Sequence, residues 1–133
     1  MGLAAPQIHE GLRLFVASLN ADRDEEEVSE DQEPMVLINP EIVSRTEETV
    51  EDWEGCLSIP DLRGRVPRAM EIKVRAFDRH GTRIEIDARG FSARVIQHEF
   101  DHLDGVLFLD RMSSFETLSF LDEYSRYWAR PDD

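Results

Sequence analysis

Two histidines four residues apart, with a carboxylate directly after the first, occupy the segment Gln97-His98-Glu99-Phe100-Asp101-His102. On a helix this spacing stacks His98 and His102 on one face, one turn apart, where both rings can reach a single metal ion. Glu99 then lies to one side of His98. It can approach a metal-bound water without binding the metal, which is the position a general base needs.

The element that must carry these groups is a helix over 92–103, a run free of Pro and Gly and bracketed by Gly90 and Gly105. Phe91, Val95, His98 and His102 share one stripe of it, so the histidines face inward. Two buried imidazoles beside a buried carboxylate are costly unless something cationic compensates. A two-histidine helix also needs a third ligand. No histidine follows His102, and Glu116 and Glu123 fall on what reads as a different helix, so Cys56 is the better candidate. It is the only cysteine. An internal disulfide is therefore excluded, and a reducing compartment is the natural setting.

The remaining elements read as strands. Leu12 to Leu19 and Met35 to Val43 are β-rich, the second interrupted by Pro40, which suits an edge or a bulge. Glu48 to Leu57 leads into Cys56, and Ile59-Pro60-Asp61 is expected to turn the chain. Glu71 to Phe77 and Thr82 to Asp87 alternate around Asp78-Arg79-His80-Gly81, a hairpin signature. Val106 to Leu109 is a short apolar segment. Over 114–128, Phe115, Leu118, Leu121 and Tyr124 recur at helical steps and predict a C-terminal helix. The fold class expected is α+β, with antiparallel or mixed sheets packed around the central metal-binding helix in a single domain over 1–133.

Composition narrows the function. Hydrophobic residues at 41% and charged residues at 33% fit a globular chain and leave no stretch that could span a membrane. The opening Met-Gly-Leu-Ala-Ala-Pro has no basic flank, and no targeting signal is read in it. A net charge of −14 argues against direct binding of nucleic acid. About half of that charge lies in 21–33, where eight acids accompany one base, and this segment reads as a solvated acidic loop.

Three motifs then give a resemblance. Gly2-Leu3-Ala4-Ala5-Pro6-Gln7, Glu54-Gly55-Cys56-Leu57-Ser58 and Gln97 to His102 match, in order, the Gly-x-Gly-Leu-Ala-Ala-x-Gln, Glu-Gly-Cys-Leu-Ser and Gln-His-Glu-x-Asp-His motifs of the peptide deformylases. Leu-Ile-Asn-Pro-Glu at 37–41, Val-Pro-Arg at 66–68 and Asp-Gly-Val-Leu-Phe at 104–108 extend the likeness over nearly the whole chain. The resemblance implies removal of the formyl group from N-formylmethionyl peptides of nascent proteins, in a bacterial-type cytoplasm or in an organelle. It implies Cys56, His98 and His102 as metal ligands, with water in the fourth position. Iron(II) is the expected ion, with nickel, cobalt or zinc as substitutes. It implies Glu99 as the proton carrier, Gln7 and the backbone N–H of Leu57 as donors to the developing oxyanion, and Gly2, Gly55 and Arg63 as substrate-binding residues.

His9 and His80 are given no role. In the family a segment of several tens of residues, including a helix, precedes the first motif, and its leading Gly has no counterpart here. Bacterial members carry a basic C-terminal helix that docks on the ribosome. Here 114–133 holds five acids against Arg126 and Arg130, so such docking is not expected. Three readings stay open: an active deformylase, a weak relative that binds metal or formyl peptide without efficient turnover, and an unrelated HExxH metalloprotease in which loss of Cys56 would leave the metal in place.

Overall fold

Alternation along Glu71–Phe77 buries Ile72, Val74 and Ala76 and leaves Glu71 and Arg75 in water, the period-2 signature of a strand with one face on a core. A computed structural model describes residues 2–8, 11–18, 34–56 and 59–128. In chain order the strands are β1 (Gly2–Ala4), β2 (Leu14–Ala17), β3 (Met35–Arg45), β4 (Thr49–Cys56), β5 (Ile59–Ala69), β6 (Glu71–Phe77), β7 (Arg83–Arg89) and β8 (Ser119–Phe120). A 3-10 turn, Ala5–Ile8, follows β1. The helices are α1 (Phe91–Leu103), the single turn α2 (Phe108–Arg111) and α3 (Leu121–Glu123), which continues as a π-helical turn over Tyr124–Trp128.

One sheet has the order β1-β2-β3-β6-β7 and the other β4-β5-β8, and every pairing among the described residues is antiparallel. The expected α+β class is the one found. Helix α1 runs between the two sheets. Its apolar side, with Ala93 and Ile96 fully buried, closes on Phe15, Leu37 and Val74 of the larger sheet. Each such large side chain contributes roughly 1.5–3 kcal/mol through burial. Gln97 fastens the other side: its amide accepts from the Ala69 N–H and donates to the Ala69 carbonyl, both at 3.0 Å.

Gly105, at φ 74°, ends α1. Its N–H bonds to the His102 carbonyl while the Val106 N–H reaches back to Asp101 at 2.8 Å, the paired bonds of a Schellman stop. The hairpin turn before β7 is held by Asp78 Oδ1, which accepts from the backbone N–H groups of His80 and Thr82 at 2.9 Å each. Pro40 sits where the β3–β6 register shifts between Ile38 and Glu41, so of the two expected settings it occupies the bulge.

Two expectations need correction. Ile59-Pro60-Asp61 begins strand β5 and does not form a turn: Cys56 already pairs with Ile59, so the reversal precedes it. The period of β5 is hidden because two of its buried inward positions are Gly64 and Arg68. The helix expected over 114–128 is confined to 121–128. Ser119 and Phe120 instead pair with Arg63 and Leu62 on the open edge of β5, and Thr117 Oγ1 accepts from the Arg65 N–H at 3.0 Å. Pairing to an unsatisfied sheet edge outweighed the helical pattern. Tyr124 is then carried against Trp53 of β4, ring centroids 4.9 Å apart. The acidic 21–33 segment and His9 lie outside the described residues.

Candidate metal centre

Strand β4 ends at Cys56, and α1 presents His98 and His102 one turn apart opposite it. Cys56 Sγ lies 3.1 Å from His102 Nε2, which lies 3.2 Å from His98 Nε2. All three ligand atoms fall within 4.8 Å of one another, and among the described residues they form the cluster able to hold a metal ion. Bonds of about 2.0–2.3 Å at tetrahedral angles hold ligand atoms about 3.3–3.6 Å apart. The two contacts of His102 Nε2 are therefore slightly shorter than in a filled site, and one sulfur and two nitrogens would leave a fourth position for water. Glu116 and Glu123 are exposed, and neither belongs to this cluster.

The tautomer of His98 is set from behind. Its Nδ1 faces Glu54 Oε1 at 2.9 Å, and because a carboxylate only accepts, Nδ1 keeps its proton and Nε2 is the nitrogen that would give up its proton to bind an ion. Glu54 is itself gripped by two arginines. Arg68 donates through Nε and Nη2 to its two oxygens at 2.9 Å each, and Arg94 adds a third hydrogen bond. Burial alone would raise the pKa of Glu54. Hydrogen bonds from His98 and Arg68, together with the Arg68 charge, outweigh burial and bring the carboxyl down to about 2. His98 shows the converse balance in the metal-free protein: burial lowers it, while hydrogen bonds to Cys56 and Glu54 and the charges of Glu54 and Glu99 raise it to about 9. Arg68 also reaches Asp101 Oδ2 at 2.6 Å, and Asp101 is held in turn by Arg111.

Glu99 is buried, with Oε1 3.9 Å from His98 Nε2 and Oε2 without a hydrogen-bond partner among the described residues. A buried carboxylate oxygen left so is costly unless something outside the protein meets it. Burial raises its pKa, opposed by the charges of His98 and His102. Gly2 makes room for it: a methyl group there would stand 2.7 Å from Glu99 Cγ and 3.0 Å from the Val16 carbonyl oxygen. Gln7 is oriented by the Ala4 N–H, which donates to its Oε1 at 2.8 Å, so that Nε2 is the atom turned to Cys56 Sγ, 3.5 Å away.

These groups surround a cavity of about 200 Å³ lined by Gly2, Gln7, Gly55, Cys56, His98 and Glu99 together with Trp53, Glu54, Phe91, Arg94 and Val95. Of the residues singled out from sequence, seven thus meet in one place. Leu57 lies outside the described residues. Arg63 lies beside the site but not in the cavity wall: its guanidinium covers Gly55, where any Cβ would collide with it, and its Nη1 donates to the Leu62 carbonyl at 2.8 Å. Sequence reasoning gave no role to Glu54, Arg68 or Arg94. The one legible signal was Arg94, placed one turn before His98 on the buried stripe of α1, where a charge is out of place unless paired.

Known proteins match this arrangement. The family model for polypeptide deformylase matches residues 1–117. The peptide deformylase of Salinibacter ruber is 52% identical over 118 residues, covering 86% of this chain and 60% of that protein. Peptide deformylase 2 of Nostoc sp. is 46% identical over 114 residues, covering 86% and 63%. The chain therefore spans about three fifths of the length of these relatives. A Met-Ala-Ser-bound crystal structure of the class I type b enzyme from Acinetobacter baumannii superposes with a TM-score of 0.73 at 38% identity, covering 84% of this chain and 69% of that one. Because the family model matches residues 1–117 of the 133, the chain belongs to the polypeptide deformylase family.

Proposed function

We propose that this chain hydrolyses the N-formyl group of N-formylmethionyl peptides, releasing formate and a free amino terminus. The observation that carries the reading is the buried Oε2 of Glu99, without a partner among the described residues, beside a Cys/His/His triad in a cavity of about 200 Å³. That cavity is smaller than the roughly 300–1,000 Å³ of sites that enclose a whole small molecule, which suits one side chain with the rest of a peptide outside. The tripeptide bound by the Acinetobacter baumannii relative supports a peptide substrate.

Cys56, His98 and His102 would hold the ion. We propose iron(II), with nickel, cobalt or zinc as substitutes, because a thiolate with two imidazoles suits these metals better than magnesium or calcium. When bound, it supplies Lewis acidity to water and to the formyl oxygen. Glu99 takes a proton from the attacking water as the oxygen adds to the formyl carbon. Gln7 Nε2, already turned inward, donates to the oxygen that gains charge, joined in this reading by the Leu57 N–H. As the C–N bond breaks, Glu99 returns the proton to the departing nitrogen. Gly2 and Gly55 admit substrate backbone at close range, and Arg63, lying over Gly55, is assigned with them to the substrate methionine region.

No ribosome-docking role is proposed for 114–128, where Glu116, Asp122 and Glu123 outnumber Arg126. No helix among the described residues is long and apolar enough to cross a membrane. With a thiolate ligand that needs reducing conditions, a cytoplasmic setting is part of the proposal.

The test is formate release from formyl-Met-Ala-Ser by protein reconstituted anaerobically with iron(II), beside Glu99→Ala and Cys56→Ala, with metal measured in all three. Turnover lost in both variants, with metal lost only from the cysteine variant, is expected. A folded, metal-loaded wild type that binds Met-Ala-Ser but releases no formate would overturn the hydrolytic reading and leave a peptide-binding relative. Retention of metal by Cys56→Ala would point to an unrelated metalloprotease.

A further inference from the structure

We infer that Tyr124, delivered by the C-terminal segment, is a positioning residue for peptide binding: its ring holds the Trp53 indole in place as a wall of the cavity beside the metal triad. This rests on the deformylase reading above.

An isolated helix as short as α3 with its π-helical turn is marginal, so this stretch has to be held by tertiary contacts. Two sets are in place. Upstream, Ser119 and Phe120 pair with Arg63 and Leu62, and Thr117 Oγ1 accepts from the Arg65 N–H at 3.0 Å. Arg65 is the residue opposite Trp53 in the β4–β5 register, so the segment is tied to the strand beside Trp53 before it reaches the indole itself. Downstream, every residue from Leu121 to Tyr127 except Tyr124 is exposed. The one side chain of that stretch that leaves water meets Trp53, with ring centroids 4.9 Å apart and planes at 62°, the edge-to-face arrangement that aromatic pairs favour.

Trp53 is half-buried on β4 and lines the cavity of about 200 Å³, whereas Tyr124 does not line it and touches the indole from outside. A tryptophan side chain can occupy several rotamers, and the one it occupies decides whether its apolar face is present as a wall. Apparent affinity falls with the fraction of protein in the arrangement that a ligand needs. An edge-to-face pair biases such a fraction by about two- to tenfold, which sets the size of the effect. The same contact leaves the metal ligands and Glu99 untouched, so it bears on peptide binding and not on the chemical step.

The test compares metal-loaded wild type with Tyr124→Phe, Tyr124→Ala, Trp53→Ala and the double alanine variant. Calorimetry gives the affinity for Met-Ala-Ser, and the formylated peptide gives kcat and KM. A Trp128→Phe background leaves Trp53 as the only tryptophan, so its emission reports the surroundings of the indole. Tyr124→Ala should weaken Met-Ala-Ser binding and raise KM together by about two- to tenfold, with kcat and metal content unchanged and Trp53 emission shifted to the red. Tyr124→Phe, which keeps the ring, should keep the wild-type values. In the Trp53→Ala background the tyrosine change should have no further effect. Should Tyr124→Ala not fold, Tyr124→Leu, which keeps bulk without the ring, carries the comparison. Unchanged KM and affinity in a folded variant would overturn the inference, as would an equal loss with and without Trp53, a Tyr124→Phe as weak as Tyr124→Ala, or a fall confined to kcat or metal content. Absence of formate release with the affinity shift intact would sink the deformylase reading and leave the role of Tyr124 standing. A metal-loaded wild type that neither binds nor cleaves the peptide would overturn both.

Discussion

Replacing Glu54 by Gln should both destabilise the fold and loosen a bound metal, because one carboxylate serves two arginines and a histidine of the candidate metal site. The side chains of Glu54, Arg68 and Arg94 are 5%, 5% and 8% exposed, so solvent screens none of them appreciably. Removing one member of a buried charge cluster typically costs about 3–5 kcal/mol, because the partners stay buried. The pKa of Glu54 gives a separate figure: lowered from 4.5 to about 2, it corresponds to about 3 kcal/mol of stability at neutral pH.

The sign follows from the depression. The contribution is complete above about 4.5 and is lost as pH falls towards about 2, so the gap between wild type and variant should close across that window. Urea denaturation of the metal-free proteins at pH 7 should show a loss of about 3 kcal/mol, on the order of 10 °C in Tm. Without the carboxylate, His98 is no longer held in the tautomer that offers Nε2, and chelator competition should show metal affinity reduced about 10–100-fold. A variant within about 0.5 kcal/mol of wild type at pH 7, with unchanged affinity, would refute the assignment of Glu54 as the group that orients His98.

Gly2→Ala should lower kcat/KM by roughly tenfold with metal content intact, since the methyl is caught between Glu99 Cγ and the Val16 carbonyl and the carboxylate must move; steady-state kinetics with metal analysis checks this. The metal-free protein should carry a second pH dependence. His98 is raised from 6.5 to about 9, so its contribution is present below about 6.5 and fades as pH rises to about 9, measured by urea midpoints against pH and absent in His98→Ala. With iron(II), activity should decay in air through oxidation at the Cys56 centre and persist with nickel; equal half-lives would count against an iron–thiolate site.

Legibility differed from one part of the chain to another, for reasons that particular residues show. Helix α1 could be read because Gly90 and Gly105 bracket a run free of Pro and Gly, and the β6–β7 hairpin because its turn carries Asp78 and Gly81. Strand β5 could not: its inward positions include Gly64, which leaves room for Met112, and Arg68, which answers charges brought from β4 and α1. The end of the chain was misread in part because a helical pattern over 114–128 says nothing of an unpaired β5 edge waiting beside it.

By itself the sequence determined the reacting groups. Two histidines a turn apart with a carboxylate between them are a property of local helix geometry, and the three motifs pointed to the family and to Cys56 as the candidate third ligand. What the tertiary structure alone decided is everything that depends on long-range approach: that Cys56 comes within 3.1 Å of a histidine 46 residues away, and that Glu54, Arg68 and Arg94 converge behind His98. The physical reason is that periodicity reports which face of an element is buried, whereas which partner that face meets is fixed only when the sheets close on the helix.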